Sequence, residues 1–352
     1  MNSKVRNILL ALMIVLIIYF EIHSCSENEI IVPEPRPVVN SVFNANDLYF
    51  INSSDGWIVG QRGTVARTSD GGDSWESEVI DSVDLNSVYF LDDMTGWIVG
   101  DKSAVYRTDD GGNSWIKAEL NGLPGNDVLN DVHFFDQSTG YILGRQGLYK
   151  TVDGGVAWEN NWLPVDENKG AWDFSMVDPE RVFLLGTQWN LPDPELLYAS
   201  GDGADTWDKI EGTNYSVLEG ILTICFLDEN TGWGAGAVIM KTEDGGCSWI
   251  RQKELVTIRE IAFIDEDKGF AVGSDMMIKT CDGGETWVDM MGHDNRIADL
   301  RGIYFLDENY GWITGRGNKE VISGVTCQNS VLLSTVDGGE TWKVRELQWK
   351  IE

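Results

Sequence analysis

One nine-residue phrase is written seven times along this chain: RTSDGGDSW ending at Trp75, RTDDGGNSW at Trp115, KTVDGGVAW at Trp158, ASGDGADTW at Trp207, KTEDGGCSW at Trp249, KTCDGGETW at Trp287 and STVDGGETW at Trp342. Its aspartates, Asp70, Asp110, Asp153, Asp202, Asp244, Asp282 and Asp337, lie 38 to 55 residues apart. A period of that size marks a solenoid or a propeller, and a catalytic motif has no need of seven copies. A second phrase precedes each copy, starting at Leu48, Val88, Val132, Phe174, Ile224, Ile261 and Ile303; VYFLDDMTGWIVG is typical. Each copy holds two β-branched or aromatic runs around a turn rich in Asp, Asn and Gly, which is a hairpin signature. A third run, such as residues 104–108, leads into the DGG turn, and a fourth opens on the tryptophan. Four strands per unit and seven units predict an all-β, seven-bladed β-propeller of four-stranded antiparallel blades.

In T-x-D-G-G-x-[ST]-W the carboxylate can accept backbone N–H groups of its own turn, linking the third and fourth strands. The glycines permit a left-handed backbone, and the tryptophan is expected to plug the space toward the next blade. The seven aspartates are therefore read as structural staples, not as catalytic acids or metal ligands. These are Asp-box (BNR-like) repeats, and their pairing with F-x-D-x-x-x-G-W-x-x-G resembles the propellers of the photosystem II stability and assembly factors and their non-photosynthetic bacterial relatives. The resemblance implies a non-enzymatic, protein-binding propeller that assists assembly or stability of a membrane or envelope complex. Three positions depart from the pattern: Ala204 stands for the second glycine in blade 4, Ala157 for the hydroxyl residue in blade 3, and Met176 for the usual Phe.

The first residues carry Lys4 and Arg6 and then an apolar run from Ile8 to Phe20, too short to span a bilayer comfortably. They read as a lipoprotein-type signal peptide over 1–24, with Ile22-His23-Ser24-Cys25 resembling a lipobox in which Cys25 is lipidated. Residues 25–40, with three prolines, read as a tether, and 41–352 as the propeller. This predicts an exported, membrane-anchored lipoprotein, periplasmic or cell-surface, that touches the membrane only through its N-terminal lipid. The net charge of -31 argues against nucleic acid and anionic lipid, both of which require a basic face. No zinc motif or cofactor signature is present, and the acidic turns at Asp228, Asp265 and Asp307 read as solvated hairpin turns. Cys247 and Cys281 sit in turns of different blades, too far apart to bridge, and Cys327 has no assigned role. Two ring closures stay open: an outer strand from Val38-Val39-Asn40 on the last blade, or complete blades only.

Function is expected on the face opposite the Asp boxes, where the second-to-third strand loops and the blade connections meet around the channel. Subtracting the repeat leaves four tryptophans: Trp349, which is expected to seal the ring, and Trp162, Trp172 and Trp189, which point to one sector. Arg62, Arg145, Arg259, Arg301 and Arg316 reach the same face. Tryptophans can anchor a protein hot spot or a sugar ring, and guanidinium groups can recognise carboxylates. The alternatives are tryptophans that only fill an irregular blade and arginines scattered in solvent. The insertion beginning at Gly315 in blade 7 is read as a long loop that enlarges this face. A protein partner is expected, with a glycan possible, and the protein is expected to be a monomer. The rival is a sialidase- or xyloglucanase-like glycoside hydrolase, which needs two placed carboxylates. Asp131, Asp173, Glu219, Glu260 and Asp275 are candidates, with Tyr215 a possible nucleophile, but the sequence singles out no pair.

Overall fold

The computed structural model describes residues 30–31, 44–118, 122–160, 169–188, 195–210, 220–254, 257–291, 297–322 and 325–346. Seven antiparallel sheets stand around an axis, six of four strands and one of five. Their first strands are residues 45–50, 85–90, 129–134, 169–176, 221–226, 258–263 and 297–305, in blades 1 to 7, and these neighbour one another around the axis at every joint but that of blades 3 and 4, where 169–176 meets the second strand of blade 3. The expected architecture is thus observed.

The Asp box works as its chemistry requires. In blade 2, Asp110 accepts the Ser114 N–H at 2.9 Å, the Ser114 hydroxyl at 2.6 Å and the Thr108 hydroxyl at 2.8 Å. Gly111, at φ 69°, donates its N–H to Met94 O in the turn between the first two strands, and every blade repeats that bond. The hydroxyl bond to the second carboxylate oxygen recurs in six boxes and is missing in blade 3, where Ala157 has no hydroxyl. Ala204 adopts the left-handed φ of 66° that glycine supplies in the other boxes.

The box tryptophan packs toward the preceding blade, not the next, which corrects the expectation from sequence. Trp158 of blade 3 clusters with Trp97 and Val99 of blade 2. It meets Phe134 of its own blade edge-on at 83°, and Phe134 in turn stacks on Trp97 at a centroid distance of 3.5 Å. The residue that reaches the following blade is therefore the GW tryptophan of the second strand. Such a stack crosses six of the seven interfaces, including Phe50 on Trp312 between blades 1 and 7. Met176 stands in the place of the phenylalanine that would complete the series between blades 3 and 4. Third-strand cations reinforce the joints: Arg107 lies 5.5 Å over the Trp97 ring and donates to Gly154 O of the next box. The aromatic pairs contribute about 0.5–1.5 kcal/mol each beyond area burial.

Ring closure differs from both expected alternatives. Ile30–Ile31 pairs parallel with Trp342–Lys343 and adds the fifth strand to blade 7. Val38-Val39-Asn40 lies outside the described residues, as does Trp349. Lys343 and Arg345 of blade 7 reach Asp73 of blade 1, and Ala45 N–H donates to Ser330 Oγ, so the first and last blades are also joined side by side. The blade 7 insertion is a hairpin, not a loop: Gly311–Ile322 and Val325–Thr335 continue the second and third strands and pair as far as Ile322 and Val325. Antiparallel backbone pairing between the two strands, from Lys319 opposite Gln328 to Ile322 opposite Val325, holds it as sheet.

Cys225 and Cys247 are free, while Cys281 is disulfide-bonded. No bridge joins Cys247 to Cys281, as expected.

Candidate functional site

The channel is built by one recurrent irregularity. In all seven first strands the register slips between the first and third of the aligned positions, as between Ala45 and Asp47 or Ile258 and Glu260. A bulge turns two successive residues to the same side of a strand. Asn46 and Asp47, Asn86 and Ser87, Asn130 and Asp131, Trp172 and Asp173, Leu222 and Thr223, and Arg259 and Glu260 accordingly line one cavity of about 410 Å³.

The outer member of each pair forms the mouth, on the face away from the boxes. Blades 1 to 3 offer Asn46, Asn86 and Asn130, blades 4 and 5 offer Trp172 and Leu222, and blades 6 and 7 offer Arg259 and Arg301. Trp172 and Leu222 are 45% and 40% exposed, so two large apolar side chains face solvent on one side of the mouth. On the other, Asp299 accepts from both Arg259 and Arg301, the latter at 2.9 Å. Burial works to raise the Asp299 carboxyl, but the Arg259 and Arg301 guanidinium groups hold it below the usual range. Burial, and then the charge of Arg301, lowers the nearby Arg316, whose Nε makes no hydrogen bond. Three of the five expected arginines therefore gather around one aspartate. Arg62 and Arg145 are on the same face but occupy exposed turns of blades 1 and 3, and neither lines the cavity. Trp162 and Trp189 lie outside the described residues.

The inner member supplies Asp47, Ser87, Asp131, Asp173, Thr223, Glu260 and Gly302 in blades 1 to 7. Four carboxylates thus face the axis. Each accepts a bond that ties neighbouring blades: Asp47 from Val88 N–H at 3.0 Å, Asp173 from Ile224 N–H at 2.8 Å and Asp131 from the Ser87 hydroxyl at 2.7 Å. The Ile303 N–H of blade 7 faces Glu260 in the same way. These four side chains keep partial exposure to the channel, yet they sit so deep in protein that little hydration is left to them. Burial, then the charge of Asp131, pushes Asp47 up to about 7. Burial likewise pushes Asp173 up to about 7, and it raises Asp131 and Glu260.

Beneath this ring, Tyr304, Tyr49, Tyr89 and His133 meet in succession at tilted angles, with centroids 4.8, 5.1 and 4.6 Å apart. Blades 4 to 6 place only Ser175, Cys225 and Ala262 at that level. The floor is therefore aromatic on one side and low on the other. Burial drives the His133 imidazole down to about 4, so it is neutral, and lifts the Cys225 thiol to about 11.

Of the carboxylates considered for hydrolysis, Asp131, Asp173 and Glu260 do meet in the channel, while Asp275 sits in a turn at φ 51° and bonds Ala298 O through its N–H. Glu219 and Tyr215 lie outside the described residues. Sequence reasoning missed Asp47, Leu222 and the asparagines. The signal was available: aligned on their phenylalanines, the first strands place a polar residue or glycine three positions earlier in every blade. The turn aspartates Asp228, Asp265 and Asp307 each accept two N–H groups of their own turn. Among the described residues no cluster is suited to a metal ion.

A second cavity, of about 440 Å³, opens between blades 2 and 3 beside Trp97, Ile116 and Val156. Where other boxes carry an acid that pairs with the preceding blade's cation, as in Lys150–Asp205 and Lys279–Glu340, blade 3 carries Val156. Arg107 turns to Asp109 instead.

A profile of the photosynthesis system II assembly factor YCF48 family matches residues 38–129 and 122–215, half of the chain. The photosystem II assembly lipoprotein Ycf48 of Picosynechococcus sp. is 29% identical over 291 residues, covering 66% of this chain and 83% of that protein. The rice chloroplast photosystem II stability/assembly factor HCF136 is 36% identical over 59 residues, a match that spans only 14% of its length. Among solved structures, YCF48 bound to a D1 peptide aligns with a TM-score of 0.65 at 20% identity, over 85% of this chain and 95% of that one. YCF48 from Cyanidioschyzon merolae aligns with a TM-score of 0.63 at 21% identity, over 79% and 94%. These structures share the fold. The profile match decides the family, and the chain belongs to the photosystem II assembly factor YCF48 family.

Proposed function

We propose that this protein is a non-enzymatic assembly factor that holds a protein partner at the mouth of its central channel. One observation carries the reading: exposed Trp172 and Leu222 stand across the mouth from the arginines gathered at Asp299. Aromatic and arginine anchors beside a cavity suit a peptide that offers an apolar side chain and a carboxylate together. The YCF48 structure in complex with a D1 peptide supports a peptide as the kind of ligand. Cys25 is proposed as the site of lipidation, which would anchor the propeller to a membrane of the bacterial envelope, on the periplasmic side or at the cell surface. The lipoprotein nature of the Picosynechococcus relative supports that placement. Trp162, Trp189, Arg62 and Arg145 remain proposed outer contacts of a larger partner, and a glycan remains the second class of ligand.

The test is a pull-down from detergent-solubilised envelopes with the intact protein and with Trp172→Ala plus Arg301→Ala. Loss of a specific partner from the double variant, by tenfold or more, is expected for two hot-spot residues. Equal capture by both baits removes the mouth as the binding site. The hydrolase reading has its own basis, since Asp131, Asp173 and Glu260 do converge. Against it, Asp131 and Asp173 are engaged by neighbouring blades. A sugar-release screen with the purified protein separates the two.

A further inference from the structure

The axial carboxylates have a property that neither the mouth nor the Asp boxes require. Asp47, Asp131, Asp173 and Glu260 converge on one narrow channel, and each is tied to a different blade's first strand, by the Val88, Ile224 and Ile303 N–H groups and the Ser87 hydroxyl. Ser87, Thr223 and Gly302 occupy the same level in the other blades, so no cation joins the ring from within it. Of the charged groups above, Arg259 and Arg301 are both committed to Asp299, and Arg316 lies beside the same aspartate. Below lie Tyr49, Tyr89, Tyr304, the neutral His133 and Cys225, none of which supplies positive charge. Like charges in so little water cannot all be ionised cheaply.

We propose that the axial carboxyl ring is a proton-operated clasp between blades, closed while it holds protons and slackening as it gains charge. With protons bound, the carboxyls accept the neighbouring N–H groups and do not repel one another. As protons leave, up to four negative charges face each other across the channel, while each remains tied to a neighbouring blade. The strain then falls on the first strands of blades 1, 3, 4 and 6, which also carry Asn46, Asn130, Trp172 and Arg259 of the mouth. The upward displacement of Asp47 and Asp173 to about 7 sets the window near neutrality. The clasp stands on the ring alone and does not depend on what the mouth binds.

The test follows the thermal midpoint of the full-length chain from about pH 5 to about pH 8 at fixed ionic strength, for wild type, Asp47→Asn plus Asp173→Asn, and the box control Asp244→Asn. The wild-type midpoint should fall as pH rises, the unfolding constant growing by up to about tenfold per pH unit for each carboxyl still protonated only in the fold. The double variant should lose most of that slope, and the box control should keep it. Hydrogen exchange at Val88 and Ile224, corrected for the intrinsic rate, should accelerate over the same range in wild type. A flat wild-type profile, or a double variant that keeps the whole slope, overturns the proposal. Should the double variant fail to fold, the protonated-carboxyl infrared band of the wild type decides. That band should be present near pH 6, absent near pH 8 and weaker in Glu260→Gln, and its absence near pH 6 overturns the clasp.

Discussion

Two rings of carboxylates run around this propeller, and they obey opposite electrostatics. The outer ring is the seven box aspartates, solvated at the edge of one face. There the Ser114 hydroxyl, then its N–H, pull Asp110 down to about 2, and the Thr206 hydroxyl does the same first for Asp202. The inner ring is the four axial carboxyls, where burial outweighs the N–H bonds and pushes Asp47 and Asp173 up to about 7. Both rings accept backbone N–H groups. The environment of the carboxylate, rather than the bond it makes, decides which protonation state the fold favours.

The signs follow from linkage. An axial carboxyl keeps its proton in the fold where the unfolded chain has lost it, so its contribution is whole below about pH 4 and drains away as pH rises to about 7. A box aspartate is the reverse: its stabilisation is present above about pH 4 and is lost as pH falls toward 2. Stability should therefore pass through a maximum in mildly acidic solution. For Asp47 and Asp173 the rise to about 7 corresponds to about 4 kcal/mol each as an upper figure, which their partial exposure to the channel reduces. We expect urea titrations to show an unfolding free energy several kcal/mol lower near pH 7.5 than near pH 4.5. Equal values at the two pH settings would collapse the distinction between the rings.

A smaller effect sharpens the outer half of the comparison. Asp244 accepts the Ser248 N–H, the Ser248 hydroxyl and the Thr242 hydroxyl, so Asp244→Ala should cost about 2 kcal/mol by urea unfolding. That cost should be the same near pH 5 and near pH 7, and shrink below about pH 4 as the wild-type carboxylate protonates. A cost that instead grew toward acid would assign the box to the inner kind. The smallest expected effect is a gain. Ala157→Ser supplies blade 3 with the hydroxyl bond that Asp153 lacks and should raise stability by about 1 kcal/mol, with a lower Asp153 pKa by NMR titration. No change in either would mean that the Ser and Thr hydroxyls in the other six boxes are incidental.

The outer ring was legible because it is written locally. Thr68, Asp70, Gly72 and Ser74 lie within seven positions, and the bonds that Asp70 and Thr68 make with the box close inside that span. The blade count, the face carrying the boxes and the irregularity of blades 3 and 4 came with it. Asp131, Asp173 and Glu260 of the inner ring were named from sequence as candidate carboxylates, but Asp47 and the ring they form together were not, because its partners are far apart in the chain, Asp47 and Val88 being 41 positions apart. Arg259, Arg301 and Arg316 were named from sequence, but nothing in their spacing revealed that Asp299 would collect them while leaving Arg62 and Arg145 apart. Period-two alternation would turn only one of each adjacent pair inward, whereas the bulge brings both. The tryptophan error has the same origin: composition says that a large ring fills a blade interface, and only packing says which one.

What the amino-acid order alone determined is the repeated unit, its turns and the number of blades, because hydrogen bonds within a nine-residue turn depend on nothing beyond their neighbours. What tertiary structure decided is everything that needs the ring closed: the Ile30–Ile31 strand beside Trp342, the arginines around Asp299 and the carboxyls across the channel. Those contacts join residues that share no local pattern, and their energies depend on how much water the assembled blades leave around them.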